Sequence, residues 1–291
     1  MRPFAGGQVA AQGTGARAVC LLGMPDDTGV GMNKGRVGAK AGPAAFRAAL
    51  AGYGLALPAP PLRALPAVFD AGDIVPGATL DETHARVTEA SRAIVAAGLM
   101  PVGIGGGHDL TFAFVRGVIE GLKARRAGIE PRAGVYVDAH LDVRAEAGSG
   151  MPFRALVERC GVRSLTCIGM EPLVNSAEHA LWFAAHGGRA VSVREARATD
   201  PTTLIPDEPC FVSIDMDGLD AAHAPGVSAV NPCGLDPQTV AGIALAAGRS
   251  SHVACFDICE LNPVFDVDGR TARLAAYLFL SFLTGFAERP A

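Results

Sequence analysis

The chain has 291 residues, of which 49% are hydrophobic and only 19% are charged, and its formal net charge at pH 7 is −4. This balance is typical of a globular protein with a large buried core, and the absence of any basic run argues against nucleic acid as a partner. No uninterrupted apolar run reaches membrane-spanning length, and the first 17 residues contain no apolar secretory segment, so we expect a soluble cytoplasmic protein with no membrane partner.

The predicted elements start after residues 1–17, which we interpret as a flexible amino-terminal extension. Strand-like apolar runs are then found at Ala18 to Gly23, Ala67 to Ile74, Met100 to Gly105, Gly134 to Ala139, Ser164 to Gly169, Arg189 to Val193, Cys210 to Met216 and Val253 to Ile258. Helix-like stretches between them include Glu82 to Ala97, Leu110 to Lys123, Pro152 to Cys160, Ala177 to His186, Pro237 to Arg249 and Arg270 to Phe286. Apolar strands that alternate with helices indicate a parallel sheet covered on both faces. We therefore predict one three-layer α/β/α domain over residues 1–291.

Seven cysteines are an odd number, and most lie in apolar segments, which predicts buried reduced thiols. Cys255 and Cys259 are four residues apart but lack a second pair of cysteines or histidines. Ordinary core cysteines are therefore favoured over a zinc site.

Polar side chains follow four of the predicted strands. His108 comes after the strand that ends near Gly105, the segment 138–142 and the segment 215–217 follow two later strands, and Glu260 follows the last. Ligands of parallel α/β sheets gather beyond the carboxyl ends of the strands. These residues are therefore expected to converge on one site.

Two of these segments carry metal-binding side chains at alternate positions. In an extended chain alternate residues face the same way, so Asp138, His140 and Asp142 should point together, as should Asp215 and Asp217. Like charges held this close in a protein interior repel each other by roughly several kcal/mol unless a cation neutralises them. The pattern predicts a pair of divalent metal ions.

The glycine-rich segment 103–107 is better explained by this site than by a nucleotide. It lacks the G-x-G-x-x-G spacing, and no GK[ST] follows it. Glycines allow a sharp turn that would deliver His108 to the metals. Four aspartates and two histidines suit Mn²⁺ better than Zn²⁺, and two such ions can hold a bridging water as hydroxide near neutral pH.

The three motifs GGGHD (105–109), DAHLD (138–142) and SIDMDGLD (213–220) resemble the metal-binding motifs of the ureohydrolase superfamily, which includes arginase and agmatinase. The resemblance implies an arginase-like fold with a central, mainly parallel eight-stranded sheet and two Mn²⁺ ions per chain. It places His108, Asp138, Asp142 and Asp215 around one ion, and Asp138, His140, Asp215 and Asp217 around the other. Asp138 and Asp215 would be the bridging carboxylates.

The resemblance also implies catalytic roles for two carboxylates. Asp142 would hydrogen-bond the bridging hydroxide and pass its proton to the leaving nitrogen. Glu260 would pair with the cationic group of the substrate, which also makes chemical sense because a carboxylate orients an amidinium for attack at its carbon.

Three segments are similar to the formimidoylglutamase branch: 33–39, 149–153 and 265–273. Enzymes of that branch convert N-formimidoyl-L-glutamate and water to L-glutamate and formamide in histidine degradation. Because this substrate has two carboxylates, cations are expected in the site. Arg144 and Arg154 are the candidates, with Ser149 as a further substrate contact and Lys34 and Arg36 as weaker ones.

Two departures concern the substrate. Phe153 stands where arginase has a proton-transferring histidine, and Ala221 follows Asp220 where agmatinase-like motifs have proline. A guanidino-compound hydrolase that releases urea stays open as an alternative, as does a metal-free relative that acts as a subunit. A homo-oligomer is expected, and the apolar helix from Leu274 to Phe286 could serve as core or as interface.

Other polar residues are interpreted structurally. Asp236, Asp266 and Asp268 precede helices and are predicted to cap or complement them. The histidines of the predicted helices are expected to be surface or packing residues: His84, His179 and His186. The role of His223 stays open.

Overall fold

The structure, a computed structural model, describes residues 2–3, 18–54, 65–126 and 128–289. Its strands are β1 (Arg2–Pro3), β2 (Ala18–Met24), β3 (Ala67–Asp73), β4 (Met100–Gly105), β5 (Ala133–Val137), β6 (Ser164–Ile168), β7 (Gly188–Val191), β8 (Cys210–Asp215) and β9 (Val253–Cys259). Its helices are α1 (Thr28–Met32), α2 (Gly42–Ala51), α3 (Leu80–Ala96), α4 (Leu110–Ala124), α5 (Pro152–Cys160), α6 (Ala177–Ala185), α7 (Val193–Ala198), α8 (Pro237–Arg249) and α9 (Arg270–Ala287). All predicted strands and helices are present, whereas α1, α2 and α7 were not predicted. Apart from residues 2 and 3, the predicted flexible extension over 1–17 lies outside the described residues.

The described strands form one sheet in the order β1-β3-β2-β4-β9-β8-β5-β6-β7. Strands β2 to β9 are parallel, and β1 adds a short antiparallel edge to β3. The predicted eight-stranded parallel sheet is confirmed. From β4 the chain crosses to β5, and β8 and β9 later fill the two positions between them. This is a topological switch point, where the ends of β4, β9, β8 and β5 stand side by side.

Helices cover both faces of the sheet, and each face has its own apolar core. In β2, Val19 and Leu21 belong to one core, whereas Cys20 and Leu22 belong to the other, as expected for alternate side chains of a strand. Helices α2, α8 and α9 pack on the first face, and α3, α4, α5 and α6 on the second. The predicted three-layer architecture is confirmed.

The carboxyl-terminal helix α9 belongs to the core. Phe279, Phe282 and Leu283 are fully buried, and α9 packs against α8 and α2. Gly248 on α8 and Gly285 on α9 allow a close approach, because a Cβ at either would lie 2.1 Å from a backbone oxygen of the other helix. No helix in the described part of the chain is long and apolar enough to cross a membrane.

Two of the predicted capping carboxylates have that role. Asp236 accepts a hydrogen bond from the backbone N–H of Thr239 at the start of α8. Asp266 accepts hydrogen bonds from the N–H groups of Thr271 and Ala272 at the start of α9. They satisfy donors that have no partner within the helix.

Candidate metal centre and active site

The predicted site residues lie together at the switch point of the sheet. His108 follows β4 after the two glycines Gly106 and Gly107. Glu260 comes directly after β9, Asp215 ends β8, and Asp138 comes directly after β5. These four strands are neighbours, so their loops share one edge. The predicted convergence of the four strand ends is confirmed.

Strand alternation is not what brings the carboxylates together, and that part of our reasoning was wrong. Strand β5 ends at Val137, and the segment 138–142 turns away: Asp138 Oδ1 accepts the N–H of His140 at 2.6 Å, and Asp142 has a left-handed φ of 47°. After β8, Asp215 Oδ1 likewise accepts the N–H of Asp217, at 2.7 Å, in a single 3₁₀ turn. Short aspartate-closed turns orient these side chains, as Asp commonly does at chain reversals.

Four residues surround one possible cation position. His108 Nδ1 lies 3.0 Å from Asp142 Oδ2, 3.1 Å from Asp215 Oδ2 and 3.2 Å from Asp138 Oδ2. The ligand atoms of these four residues all lie within 4.8 Å of one another. The set is the one that the sequence resemblance placed around the first ion.

A second group adjoins the first and shares Asp138 with it. His140 Nδ1 lies 3.2 Å from Asp138 Oδ1 and 3.4 Å from Asp217 Oδ2, and the ligand atoms of these three residues are also within 4.8 Å of one another. The resemblance places Asp215 in this group too. The structure brings Asp215 into the first group only, and its Oδ1 is occupied by the N–H of Asp217.

The crowding of charge is visible in the pKa values of the carboxylates. Burial, followed by repulsion from Asp217 and Asp138, raises the pKa of Asp215 well above its ordinary value. Burial and the charges of Asp142 and Asp217 raise the pKa of Asp138 to about 6. A site that holds its acids in this state favours a bound cation.

The two histidines act as the positive charges of the metal-free site. Burial alone would lower the pKa of His108, but Asp215 and the neighbouring carboxylates raise it well above 6.5. The charge of Asp217 is the main cause of a strong rise in the pKa of His140, against the effect of burial. Burial alone would raise the pKa of Asp217, but His140 lowers it.

The donor set fits divalent cations. Asp138 Oδ2 and Asp217 Oδ1 are buried and accept no hydrogen bond from any residue that the structure describes. Buried carboxylate oxygens normally have partners, so these atoms are available as ligands. Oxygen donors with a minority of imidazole nitrogens suit Mn²⁺.

The outer nitrogen of His108 has a partner that the sequence reasoning missed. His108 Nε2 lies 3.0 Å from Ser213 Oγ, and Ser213 on β8 stands opposite Asp257 on β9 in the sheet register. A hydrogen bond from Ser213 moderates the pKa of the buried Asp257, which burial raises to about 6. Such a contact holds the imidazole with Nδ1 free for a metal. The only sign in the sequence that Ser213 belongs to the site is its place in the third motif, two residues before Asp215.

A second contact that the sequence reasoning missed involves Asp109, the residue after His108. His84 on α3 is buried, and its Nε2 lies 2.8 Å from Asp109 Oδ2. The sequence reasoning assigned His84 to a surface or packing role, and the structure places it in a buried pair with the last residue of the first motif. Within the glycine loop before His108, a Cβ at Gly106 would lie 2.0 Å from the backbone oxygen of Asp26, so close backbone contact explains this glycine.

Glu260 follows β9, which lies between β4 and β8 in the sheet, and it is hydrogen-bonded to the glycine loop that follows β4. Its Oε1 accepts the backbone N–H of His108 at 2.9 Å, and the hydroxyl of Ser228 donates to its Oε2. Burial raises its pKa to about 8, although the Ser228 hydrogen bond acts in the opposite direction. A buried carboxylate with this pKa is suited to pair with a cationic group of a ligand.

Comparison with known proteins identifies the family. The sequence model of the arginase family matches residues 17–285. The chain belongs to the arginase family. A formimidoylglutamase from Ralstonia nicotianae is 35% identical over 94% of this chain and 87% of its own length. The crystal structure of Trypanosoma cruzi formiminoglutamase with Mn²⁺ has a TM-score of 0.83 and 30% identity, covering 99% of this chain and 98% of that chain. Proclavaminate amidino hydrolase from Streptomyces clavuligerus has a TM-score of 0.80 and 27% identity, covering 95% and 93%.

The three residues predicted to contact the substrate of this arginase-family chain differ from one another in exposure and in partners. Arg144 is exposed, and its backbone N–H donates to the oxygen of Gly150. Ser149 is half-buried, with Oγ 3.1 Å from the side-chain amide of Asn33 on the loop after α1. Arg154, by contrast, contacts Glu158 at 2.8 Å, and its guanidinium lies 5.1 Å from the Trp182 ring centre.

The remaining candidates are Arg36 and Lys34. The Arg36 guanidinium donates to the backbone oxygen of Val227 at 2.5 Å and stacks 4.2 Å from the centre of the Phe265 ring, so it braces the loop that carries Ser228. Lys34 is exposed with a positive φ of 61°.

Phe153 and His223 are two further positions that the sequence singled out. Phe153 is fully buried, stacks on Tyr136 and makes a T-shaped ring contact with His108. His223 is exposed.

The two closely spaced cysteines lie in the core. Cys255 and Cys259 are buried free thiols in β9, and neither belongs to a metal-binding group among the residues described. The interpretation of both as core residues is confirmed.

Proposed function

We propose that this arginase-family protein is a dimanganese formimidoylglutamase, which hydrolyses N-formimidoyl-L-glutamate to L-glutamate and formamide in histidine degradation. The observation that carries the proposal is the buried cluster of four aspartates and two histidines beside Glu260, a carboxylate placed to receive an amidinium. Similarity to formimidoylglutamases over most of the chain supports the choice of substrate.

Two Mn²⁺ ions would be held by His108, Asp138, Asp142, Asp215, His140 and Asp217. When bound, they would lower the pKa of a shared water and so supply a nucleophile near neutral pH. Asp138 belongs to both groups and would contribute a ligand atom to each ion.

Glu260 would orient the substrate. Its two oxygens are fixed by the N–H of His108 and the hydroxyl of Ser228, so the carboxylate needs no rearrangement to pair with the formimidoyl amidinium. This pairing would turn the formimidoyl carbon toward the metal-binding groups.

Asp142 would move the proton. Its side chain is 13% exposed, whereas those of Asp138, Asp215 and Asp217 are 0%, 3% and 5% exposed. The most accessible carboxylate of the cluster is the one that can take a proton from water and deliver it to the nitrogen of the departing glutamate.

The carboxylates of the substrate require donors from the protein. Arg144 is our candidate for the carboxylate next to the amidine, together with Ser149. Because the guanidinium of Arg154 is held by Glu158 and Trp182, a role for Arg154 requires it to leave these contacts on binding.

The proposal also includes the cellular location, the partners and the oligomeric state of the enzyme. We place the enzyme in the cytoplasm, without a membrane partner. The low net charge of −4 and the lack of basic runs in the sequence argue against nucleic-acid partners. A homo-oligomer is supported by large apolar side chains left exposed, such as Leu173 and Leu181.

One competing function is favoured by a specific observation. The likeness to proclavaminate amidino hydrolase suggests a guanidino substrate. The test is a panel of N-formimidoyl-L-glutamate, agmatine and 4-guanidinobutyrate, assayed with Mn²⁺ and after chelation, with glutamate and urea measured separately. Glutamate release should dominate and should disappear on chelation and in Asp138→Asn. Faster urea release from either guanidino compound would replace the proposed substrate, and a wild-type protein that binds no Mn²⁺ would support a non-enzymatic subunit.

A further inference from the structure

A small cavity adjoins the second metal-binding group. Its volume is about 210 Å³, and one of its walls is His140. The others come from the loop after β6 and from the loop that follows Ser228; they include Glu171, Val174, Val230, Asn231 and Pro232. The cavity therefore combines a mostly apolar lining with a position next to the reacting groups.

Asn231 is one of the residues that line this cavity, and its side chain has an unused hydrogen-bond donor. The residue is 6% exposed, and its Nδ2 has no hydrogen-bond partner in the described part of the chain. The orientation of the amide is fixed, because Oδ1 accepts the backbone N–H of Cys233 at 3.1 Å. The backbone oxygen of Asn231 also accepts the N–H of Ala221 at 2.7 Å, so the segment is held firmly. A buried amide N–H without a partner is costly, which suggests that a ligand atom completes it.

The loop that carries Asn231 connects the cavity to Glu260. Ser228 donates its hydroxyl to Glu260, and Asn231 lies three residues further along the same loop. Three residues span at most about 10 Å. A ligand with its amidinium at Glu260 can therefore extend a short carbon chain into the cavity.

We propose that this cavity binds the side chain of the substrate's glutamyl group and that Asn231 Nδ2 donates a hydrogen bond to its distal carboxylate. The proposal rests on the proposed formimidoylglutamase function. Val174, Val230 and Pro232 provide apolar contact for the methylenes. Asn231 would then determine specificity for a side chain of this length that ends in an acceptor.

Glu171 is the acidic residue among those that line the cavity. A hydrogen bond that it accepts reduces its repulsion of a substrate carboxylate. Its Oε1 accepts the backbone N–H of Leu173 at 3.0 Å at the start of a 3₁₀ turn, which offsets part of its charge. Leu173 is 92% exposed, so this wall lies at the rim. The buried side of the cavity is lined by the neutral amide of Asn231.

The test uses binding of the product L-glutamate, so that it does not depend on turnover. Affinities of the Mn²⁺-loaded wild type, Asn231→Ala and Asn231→Asp for L-glutamate and L-glutamine are measured by titration calorimetry. The alanine variant should bind glutamate about tenfold to a hundredfold more weakly, as expected for a lost hydrogen bond to a charged group. The aspartate variant keeps the acceptor for the Cys233 N–H but repels a carboxylate, so its preference should shift at least roughly tenfold toward glutamine.

The outcomes separate the two proposals. Equal glutamate affinity in the wild type and both folded variants, or no glutamate binding by the wild type, would overturn the role of Asn231. Failure of the proposed function would appear separately, as a wild type that releases no glutamate from N-formimidoyl-L-glutamate. Melting temperatures of the variants show whether they are folded, and the isosteric aspartate variant provides the decision if the alanine variant is not.

Discussion

Replacing Glu260 by glutamine should make the metal-free protein more stable while it removes activity. Glu260 is 3% exposed, and burial raises its pKa from 4.5 to about 8. Between these two values the folded state binds more protons than the unfolded state, so stability falls as pH rises through this window. At pH 7, roughly 2.5 pH units above the unfolded pKa, the cost is about 3 kcal/mol. Glutamine keeps an acceptor for the N–H of His108 but carries no charge, so it avoids this cost.

The assay is urea denaturation of chelated wild type and Glu260→Gln, followed by circular dichroism at pH 7 and pH 5. The variant should be more stable by about 3 kcal/mol at pH 7. The difference should be less than about 1 kcal/mol at pH 5, which is only about half a unit above the unfolded pKa, so that little of the cost has accumulated. With Mn²⁺, kcat/KM for N-formimidoyl-L-glutamate should fall about a hundredfold, because the amidinium loses its charged partner. Glu158→Gln is a matched control, since that carboxylate is 44% exposed and the change should alter stability by no more than about 0.5 kcal/mol.

Two results would refute this reasoning. Equal stability of the Glu260→Gln variant and the wild type at both pH values would mean that burial of the charge is not costly. An unchanged kcat/KM would mean that the amidinium is held elsewhere.

Further predictions concern the metals, the glycine loop and the arginines. Mn²⁺ at a hundred times its dissociation constant should stabilise the wild type by about 2.7 kcal/mol. Thermal shift measurements should show that Asp138→Asn loses most of this stabilisation. An equal thermal shift in both proteins would contradict the assigned site. His84→Ala leaves the buried carboxylate of Asp109 without its partner and should cost about 3 kcal/mol in urea denaturation, whereas a change below about 0.5 kcal/mol would assign His84 to simple packing. In steady-state kinetics Arg144→Ala should raise KM for N-formimidoyl-L-glutamate about tenfold or more. Arg154→Ala should raise KM less, because Arg154 is held by the carboxylate of Glu158. A larger rise in KM for Arg154→Ala than for Arg144→Ala would exchange their roles.

The sheet could be predicted closely because its parallel strands are buried on both faces. Such strands are continuous apolar runs, and each of the eight was found to within a few residues. The missed helices were α1 and α7, which have five and six residues, and α2, in which alanine predominates. Short elements and elements without a clear apolar period give little signal in a sequence.

The site was predicted in composition but not in its local geometry. The acidic and histidine positions could be read from the motifs, whereas the turns that orient Asp138 and Asp215 replace the expected strand alternation. Ser213, Ser228 and His84 were missed because their roles depend on long-range contacts, which a single sequence does not record.

The strand order explains why so many buried acids can be tolerated at one place. Neighbouring strands β4, β9, β8 and β5 are fixed by apolar cores on both faces, so the loops that carry Asp138, Asp215 and Glu260 are held on a rigid base. Each of these three carboxyls has a raised pKa, and therefore each favours the folded state less as pH rises. The raised pKa of His108 acts in the same direction, because the stabilisation from its proton is lost as pH rises, and a metal ion at its Nδ1 would displace that proton. The metal-free fold should thus lose stability toward alkaline pH, and bound Mn²⁺ should restore it because the cation replaces the imidazolium charge among the same carboxylates.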